Sequence, residues 1–255
     1  MSTIITGATG GIGRAFALLD ETCVWHSPLV LVARDKTKLE LLAEEVQGCG
    51  GIADFVSGDV GDPNTASRAI HLAKKMSQGN EKITSLVCCS GIGRSGPTES
   101  FDGGDFANIM RTNVSGAFNF IRACLPEMLE NKDGRIVLMS SVAGVRGYSR
   151  NLAYTAANHA LVGMASSLAK EHGKRGIVAI PICPGFVDTE MTDRTIAGLI
   201  KYRGMDKEDA IKLVASKNPQ NRILNPKEVA QAISFALSDA ARSLSGNPMI
   251  LSGGE

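Results

Sequence analysis

Aromatic residues are scarce in this chain, since tryptophan, tyrosine and phenylalanine together make up 5% of its residues. A platform that stacks nucleic-acid bases depends on aromatic side chains, so that function is not expected. An excess of one charge is also lacking, because 27 lysines and arginines face 26 aspartates and glutamates and the formal net charge is +1. Nucleic acids and anionic membranes attract proteins through a concentrated positive field. We therefore expect neither as the main partner.

Long hydrophobic runs are absent as well. No apolar stretch approaches the ~18 residues that a membrane-spanning helix requires. The N-terminal letters MSTIITGATGG lack the basic region followed by an apolar core that is typical of a secretory signal. We therefore expect a cytoplasmic protein with no membrane partner.

The cysteines and histidines show none of the spacings that bind metals. The cysteines lack a CxxC pair and the histidines lack an HExxH pattern, so no metal site is predicted. Buried free thiols in a reducing compartment are the expected state of the cysteines. These residues are Cys23, Cys49, Cys88, Cys89, Cys124 and Cys183, with His26, His71, His159 and His172.

The length and composition suit a globular protein. The chain has 255 residues, of which 44% are hydrophobic. At ~150 residues per domain this length allows one or two domains, and α/β folds of this size are often one. The sequence shows no repeat, linker or low-complexity stretch, so a single domain over residues 1–255 is predicted.

Short apolar runs alternate with longer segments of helical pattern. Runs such as LVLV at 29–32 and IVAI at 177–180 are typical of strands covered on both faces. We predict strands at residues 3–6, 29–33, 52–57, 83–89, 135–140, 177–183 and 248–251. We predict helices near residues 11–21, 36–47, 64–77, 104–131, 152–172 and 226–238. This alternation predicts an α/β fold with a doubly wound parallel sheet and helices on both faces.

Local signals mark some helix starts and one insertion. The pairs Asp62-Pro63 and Asn225-Pro226 resemble an N-cap followed by a first-turn proline. Residues 192–221 form a long polar and helical insertion before the last strand. Long segments of this kind often close over a substrate, so a lid is predicted here.

A glycine-rich turn follows the first predicted strand directly. Residues 6–13 read TGATGGIG, so the glycines follow a GxxxGxG spacing. Such a turn lets backbone N–H groups approach a pyrophosphate, and the next helix adds the positive end of its dipole. A flexible turn is the alternative, but the strand–turn–helix context favours a Rossmann-like dinucleotide site. The predicted cofactor-binding residues of this turn are Gly7, Thr9, Gly11, Ile12 and Gly13.

The ends of the next two strands bear on the choice of cofactor. An NAD site usually carries an acid at the end of the second strand, where it binds the ribose 2′-hydroxyl group. Here Ala33 and Arg34 occupy that place, so Arg34 is predicted to meet the 2′-phosphate of NADP. A solvated loop arginine is the alternative, and Asp35 follows at once. After the third strand, Asp59-Val60 could bind the adenine.

Further motifs complete a family pattern. Ser141 ends the fifth predicted strand, and Tyr154 opens a helix thirteen residues later. The chain resembles the short-chain dehydrogenase/reductase family, in its compact branch, over essentially its whole length. The segments that carry this resemblance are TGATGGIG at 6–13, DV at 59–60, TNV at 112–114, Ser141, Tyr154, and PG at 184–185 leading to Thr189.

The resemblance implies a role for each matching residue. Tyr154 would exchange a proton with the substrate oxygen, Ser141 would orient the substrate carbonyl, and Asn113 would bind a water in a proton relay. Gly91 would lie against the cofactor. The residues implied along its nicotinamide half are Pro184, Gly185, Val187 and Thr189.

Two positions depart from the family pattern. The family expects YxxxK, and this chain has Asn158 in place of the lysine. Asn158 can still bind the nicotinamide ribose, but it supplies no charge to lower the tyrosine pKa. His159 points about 100° around the helix and is a poor substitute. The other departure is LVCCSG at 86–91, where the family usually has an NNAG run that ties the fourth strand to its neighbours.

Three hypotheses follow for function. The first is an NADP(H)-preferring oxidoreductase acting on a ketone or secondary alcohol, with a 3-oxoacyl-type substrate suggested by analogy alone. The second is a dinucleotide-binding protein with little or no catalysis, because the lysine is absent. The third, dehalogenation on this fold, is disfavoured because such proteins usually lose the phosphate-binding glycines. By resemblance, and because helix 152–170 is apolar almost all round, a homo-oligomer is expected, either a tetramer or a dimer.

Overall fold

Seven parallel strands form the centre of the fold in the computed structural model, which describes residues 2–19, 27–76 and 82–255. The strands are β1 Ser2–Thr6, β2 Leu29–Ala33, β3 Ala53–Ser57, β4 Ile83–Cys88, β5 Gly134–Met139, β6 Ile177–Pro184 and β7 Met249–Leu251. Their order across the sheet is β3-β2-β1-β4-β5-β6-β7. The runs of apolar and β-branched residues predict each of these strands within two residues at either end.

Helices cover both faces of this sheet. They are α1 Gly11–Ala17, α2 Lys36–Gly48, α3 Pro63–Met76, α4 Gly103–Ile109, α5 Gly116–Asn131, α6 Leu152–His172, α7 Glu190–Arg203, α8 Lys207–Ala215 and α9 Pro226–Leu237. The core between α1, α2, α9 and the sheet is separate from the core that α3, α5 and α6 form on the other face. The prediction of an α/β, doubly wound parallel sheet is confirmed.

The strand order reverses direction between β1 and β4. From β1 the chain moves outward through β2 and β3, and it then crosses back to β4 on the other side of β1. In open α/β sheets such a switch point opens a crevice at the carboxyl ends of the strands, where ligands bind. The glycine-rich turn after β1 and the segments after β4, β5 and β6 all lie at this end.

Side-chain hydrogen bonds cap two helices at the starts that the sequence predicts. The Asn225 side chain accepts a hydrogen bond from the Lys227 amide at 2.8 Å, and the Glu228 side chain accepts one from the Asn225 amide at 2.8 Å. This reciprocal capping, with Pro226 in the first turn, satisfies donors that would otherwise lack partners at the helix end. Asp62 likewise accepts from the Asn64 amide at 2.9 Å.

Some predictions need correction. The predicted helix 104–131 is interrupted, because a π-helical turn spans Met110–Ser115 between α4 and α5. Cys49 is exposed rather than buried, since it caps the end of α2 and leads into a loop. The other thiols that the structure describes are free and at least partly buried. Cys23, His26 and the predicted ends of the first and third helices lie outside the described residues.

The insertion before the last strand is a pair of helices. Its predicted span, 192–221, begins inside α7 and includes α8. Ile196, Ala210 and Val214 form a small apolar cluster between the two helices, apart from the two main cores. None of the helices within the described ranges is long and apolar enough to cross a membrane.

Candidate active site

The glycine-rich turn packs too closely for side chains. Gly7 has a φ of 65°, which glycine adopts without strain. A Cβ on Gly7 would come within 2.6 Å of the Ser90 amide nitrogen, so the turn after β1 lies directly on the segment after β4. Gly13 packs against the Gly7 carbonyl group in the same way. Both glycines are therefore required by close backbone approach, with Thr9 and Ile12 on the partly exposed side of the turn.

The segment after β6 reaches the same turn. A Cβ on Gly11 would lie 2.5 Å from the methyl carbon of Thr189, so these two residues are in contact across the crevice. Thr189 precedes α7, and its hydroxyl group donates to the Val187 carbonyl at 3.3 Å. The Gly185 amide donates to the Leu251 carbonyl at 2.9 Å. The structure thus brings the predicted phosphate-side and nicotinamide-side residues together.

Arg34 and Asp59 lie at the outer end of the crevice. Arg34 is exposed at the end of β2, and its guanidinium makes no salt bridge with another described residue. Asp59 binds the Gly61 amide at 2.8 Å and the Arg111 guanidinium at 2.8 Å. These bonds, and the charges of Arg111 and Arg34, hold the pKa of the Asp59 carboxyl below its usual value. Arg111 therefore binds one oxygen of the carboxylate that is predicted to bind adenine. No sequence motif indicated this salt bridge.

Ser141 and Tyr154 meet beneath the crevice. Ser141 follows β5, donates to the Pro184 carbonyl at 3.4 Å and accepts from the Ala143 amide at 3.2 Å. The Ser141 and Asn158 side chains are near the Tyr154 phenol and lower its pKa. Desolvation of the phenol has the larger effect and raises this pKa above the ordinary value. In the described part of the chain, the groups that set this pKa include no cation.

Asn158 is buried on the same face of α6, one turn after Tyr154. Its side-chain amide donates to the Tyr154 main-chain carbonyl at 2.8 Å, and its own main-chain carbonyl accepts from the Ser140 hydroxyl at 3.1 Å. His159 is exposed and its ring contacts the Thr155 carbonyl at 3.0 Å. As expected, His159 does not replace the lysine charge.

Asn113 lies in the π-helical turn and holds the segment after β4. The Ile92 amide donates to Oδ1 of Asn113 at 2.9 Å, and Nδ2 donates back to the Ile92 carbonyl at 3.0 Å. Gly91 lies beside this pair, at a distance where an added Cβ would be 3.7 Å from Nδ2. Because both ends of the amide bind protein, the side chain positions this segment. Its part in a water relay stays a prediction.

Four nearby residues were missed by the sequence analysis. A Cβ on Gly93 would lie 3.1 Å from the Tyr154 ring, and buried Cys183 acts on the Tyr154 pKa. Glu255 lies against Gly185 and is bound by Tyr148. Cys183 could have been noticed because it precedes the Pro184-Gly185 motif. The others belong to no motif. Within the described ranges, no cluster of three acidic, histidine or cysteine residues could hold a metal.

Comparison with known families gives a match over most of the chain. The profile of the family described as "short chain dehydrogenase" matches residues 2–199. The chain belongs to the short-chain dehydrogenase family. It is therefore an oxidoreductase.

Several short-chain dehydrogenases are similar to it over their whole length. Oxidoreductase UcpA of Escherichia coli (strain K12) is 34% identical over 254 residues, which cover 99% of this chain and 93% of that protein. The 3-oxoacyl-[acyl-carrier-protein] reductase FabG of Thermotoga maritima is 30% identical, covering 98% and 96%. A solved structure of a variant of actinorhodin polyketide ketoreductase with NADPH has a TM-score of 0.90 at 25% identity, covering 99% and 95%.

Proposed function

We propose that this short-chain dehydrogenase reduces a ketone with NADPH, with Tyr154 as the proton donor. The observation that carries the proposal is the Tyr154 phenol, which lies near the Ser141 side chain and has a raised pKa. A phenol of raised pKa stays protonated at neutral pH, as a general acid must. A 3-oxoacyl-type ketone is one candidate substrate, supported by the similarity to FabG and to the polyketide ketoreductase.

The residues of the crevice fit a dinucleotide. The turn is closely packed at Gly7, Gly11 and Gly13, and it leads directly into α1, whose first backbone N–H groups would bind a pyrophosphate. Exposed Arg34 would hold a 2′-phosphate, and Asp59-Val60 would border the adenine. Along the nicotinamide half, we assign Pro184, Gly185, Val187 and Thr189, with Gly91, Tyr154 and Asn158 completing the set.

The chain's own residues would then carry out the proton chemistry. When bound, the dinucleotide would supply the hydride that reduces the carbonyl carbon. Ser141 donates a hydrogen bond to the carbonyl oxygen and fixes its position near the phenol. Tyr154 gives its proton to that oxygen as negative charge develops there. Because the pKa of Tyr154 is raised, the donor form persists at alkaline pH, whereas oxidation needs the scarce tyrosinate.

A second candidate function rests on Asn158. This residue makes hydrogen bonds but supplies no charge, so the protein could bind the dinucleotide with little or no turnover. The test is NADPH consumption with a panel of ketones, compared with NADPH binding by fluorescence. Turnover of any ketone supports the reductase. Binding without turnover of any ketone supports the second candidate.

Arg34 is expected to determine the cofactor preference. A charge-assisted hydrogen bond contributes about 1.5–3 kcal/mol, so Arg34→Asp should weaken NADPH binding by a factor on the order of 10 to 100 and leave NADH binding nearly unchanged. Fluorescence titration with both cofactors measures this. Arg122→Asp, which changes an exposed arginine on α5, is the matched control. Equal affinity for the two cofactors in the unchanged protein would contradict the prediction.

The α7–α8 pair is expected to act as a lid over the substrate. It follows Thr189 directly, and its apolar cluster is separate from the main cores, so it can move without exposing them. Amide hydrogen exchange in residues 190–215 should slow when NADP⁺ and a ketone are both added. Exchange in α3 serves as the internal control. Unchanged exchange in α7 and α8 would argue for an ordinary surface helix pair.

Two wider features belong to the same proposal. We infer a homo-oligomer, with a tetramer as the first expectation, because Phe118 on α5 and Leu152 on α6 are apolar residues with about half their surface exposed. We also infer a cytoplasmic location, since the free thiols fit a reducing compartment.

A further inference from the structure

Glu255 lies beside the candidate active site, where the loop after β5 meets the turn after β6. Its Oε1 accepts a hydrogen bond from the Tyr148 phenol, and its main-chain oxygen accepts one from the Arg146 guanidinium at 2.6 Å. Its Oε2 lies 3.6 Å from the position that a Cβ on Gly185 would take. Glu255 therefore connects the last residues of the chain with both sides of the crevice.

The carboxylate is close to the reacting groups through a short series of contacts. Gly185 follows Pro184, whose carbonyl accepts the hydrogen bond from Ser141. Ser141 in turn is near the Tyr154 phenol, whose pKa it lowers. Glu255 thus flanks the site on the side where Ser141 would hold the substrate carbonyl.

The two oxygens of this carboxylate differ in their partners. Oε1 is bound by Tyr148, whereas Oε2 has no hydrogen-bond partner among the described residues. Burial and the nearby carboxylate raise the pKa of Tyr148, so its phenol remains a donor to Glu255. The Arg146 guanidinium donates to the main-chain oxygen. Oε2 is therefore a carboxylate acceptor at the edge of the site, with no hydrogen-bond partner in the described part of the chain.

We propose that Glu255 is a specificity-determining residue that selects carbonyl substrates with a hydroxyl or ammonium group at the end distant from the carbonyl. The Oε2 atom accepts a hydrogen bond from that group and repels a carboxylate in the same place. Tyr148 is a positioning residue, since it holds the carboxylate through Oε1. The inference rests on the proposed ketone reduction.

Three ketones of similar size test this selection: 4-hydroxybutan-2-one, pentan-2-one and acetoacetate. We expect kcat/KM with NADPH to fall in that order. Glu255→Gln removes the charge and keeps the shape, so acetoacetate should gain about tenfold and the hydroxyketone should lose several-fold. Pentan-2-one should change little, which shows that the fold and the reacting groups are intact. Tyr148→Phe should shift the same ratios in the same direction by a smaller factor.

Exposed Glu44 on α2 gives the matched control, because Glu44→Gln removes an equal charge far from the crevice. If the ratios of kcat/KM among the three ketones are the same in the unchanged protein and in Glu255→Gln, the inference is overturned. A preference of the unchanged protein for acetoacetate would also overturn it and would point to Arg146 as the selecting group. If no ketone is turned over, the proposed function fails. The preference is then measured by saturation-transfer NMR of the three ketones with NADP⁺ present, and absence of the expected order would overturn the inference separately.

Discussion

Asn158→Lys is expected to raise the rate of alcohol oxidation by a factor on the order of 10 or more, and carbonyl reduction by less. A cation one turn after Tyr154 stabilises the tyrosinate and should lower its pKa by ~1–3 units, at ~1.4 kcal/mol per unit. Burial now raises that pKa, and in the described part of the chain the groups that oppose the rise are the Ser141 and Asn158 side chains, neither of which is a cation. Oxidation gains more because it uses the tyrosinate as a base.

The pH dependence of the oxidation and reduction rates shows in which direction the Tyr154 pKa moves. With the pKa raised, oxidation should increase with pH throughout the accessible alkaline range, because the base form appears only near that pKa. In Asn158→Lys the same increase should occur at lower pH. Reduction uses the protonated phenol, so its alkaline decline should also move to lower pH. Rate profiles in both directions on one accepted substrate measure both shifts.

Asn158→Met is the matched control, since methionine has similar length but no charge. Position 158 is buried, so thermal unfolding of both variants should be compared with that of the unchanged protein. An equal gain in the methionine variant would show that the charge is not the cause. A protein that is already fast and is slowed by the lysine would mean that the site performs a different reaction.

Tyr154→Phe is expected to reduce turnover by a factor on the order of 10²–10⁴, the usual contribution of general acid–base catalysis. The phenol is the group near Ser141, and phenylalanine keeps the ring packed beside Gly93 while removing the proton donor. NADPH binding should stay within a few-fold. Single-turnover NADPH oxidation measures the chemical step directly.

Tyr202→Phe is the control for this variant, because Tyr202 is 80% exposed on α7. It should leave the rate unchanged. Residual activity in Tyr154→Phe close to that of the control would mean that another group delivers the proton. Cys183, which lies near the phenol, would be the next residue to replace.

The strands and most helices could be predicted because their signals are local. A run such as LVLV at 29–32 is apolar on both faces, and such a run is stable only between two helical layers. The capping pair of Asn225 and Glu228 lies within four residues, so it too could be read from the sequence. The π-helical turn at Met110–Ser115 was missed, because one extra residue per turn leaves almost no mark on a helical pattern.

Motifs indicated the candidate reacting residues, but not the environment of these side chains. The spacing of Ser141 and Tyr154 indicated the pair, and the absence of a lysine at position 158 was visible directly. The Arg111 salt bridge to Asp59 joins residues 52 positions apart, and no local pattern specifies it. The same holds for Asn113, whose amide binds Ile92 across 21 positions.

The fold class and the glycine-rich turn of this protein could be predicted from its sequence, and Ser141 and Tyr154 could be proposed as a pair, because each signal lies within short segments of the chain. The groups that act on the Tyr154 phenol, and the contacts between distant segments at this edge of the sheet, could be known only from the tertiary structure. The clearest case is Glu255, which Tyr148 binds across 107 positions. Burial and long-range contacts set pKa values and specificity, and these arise only when the strands of the sheet bring distant segments to one edge.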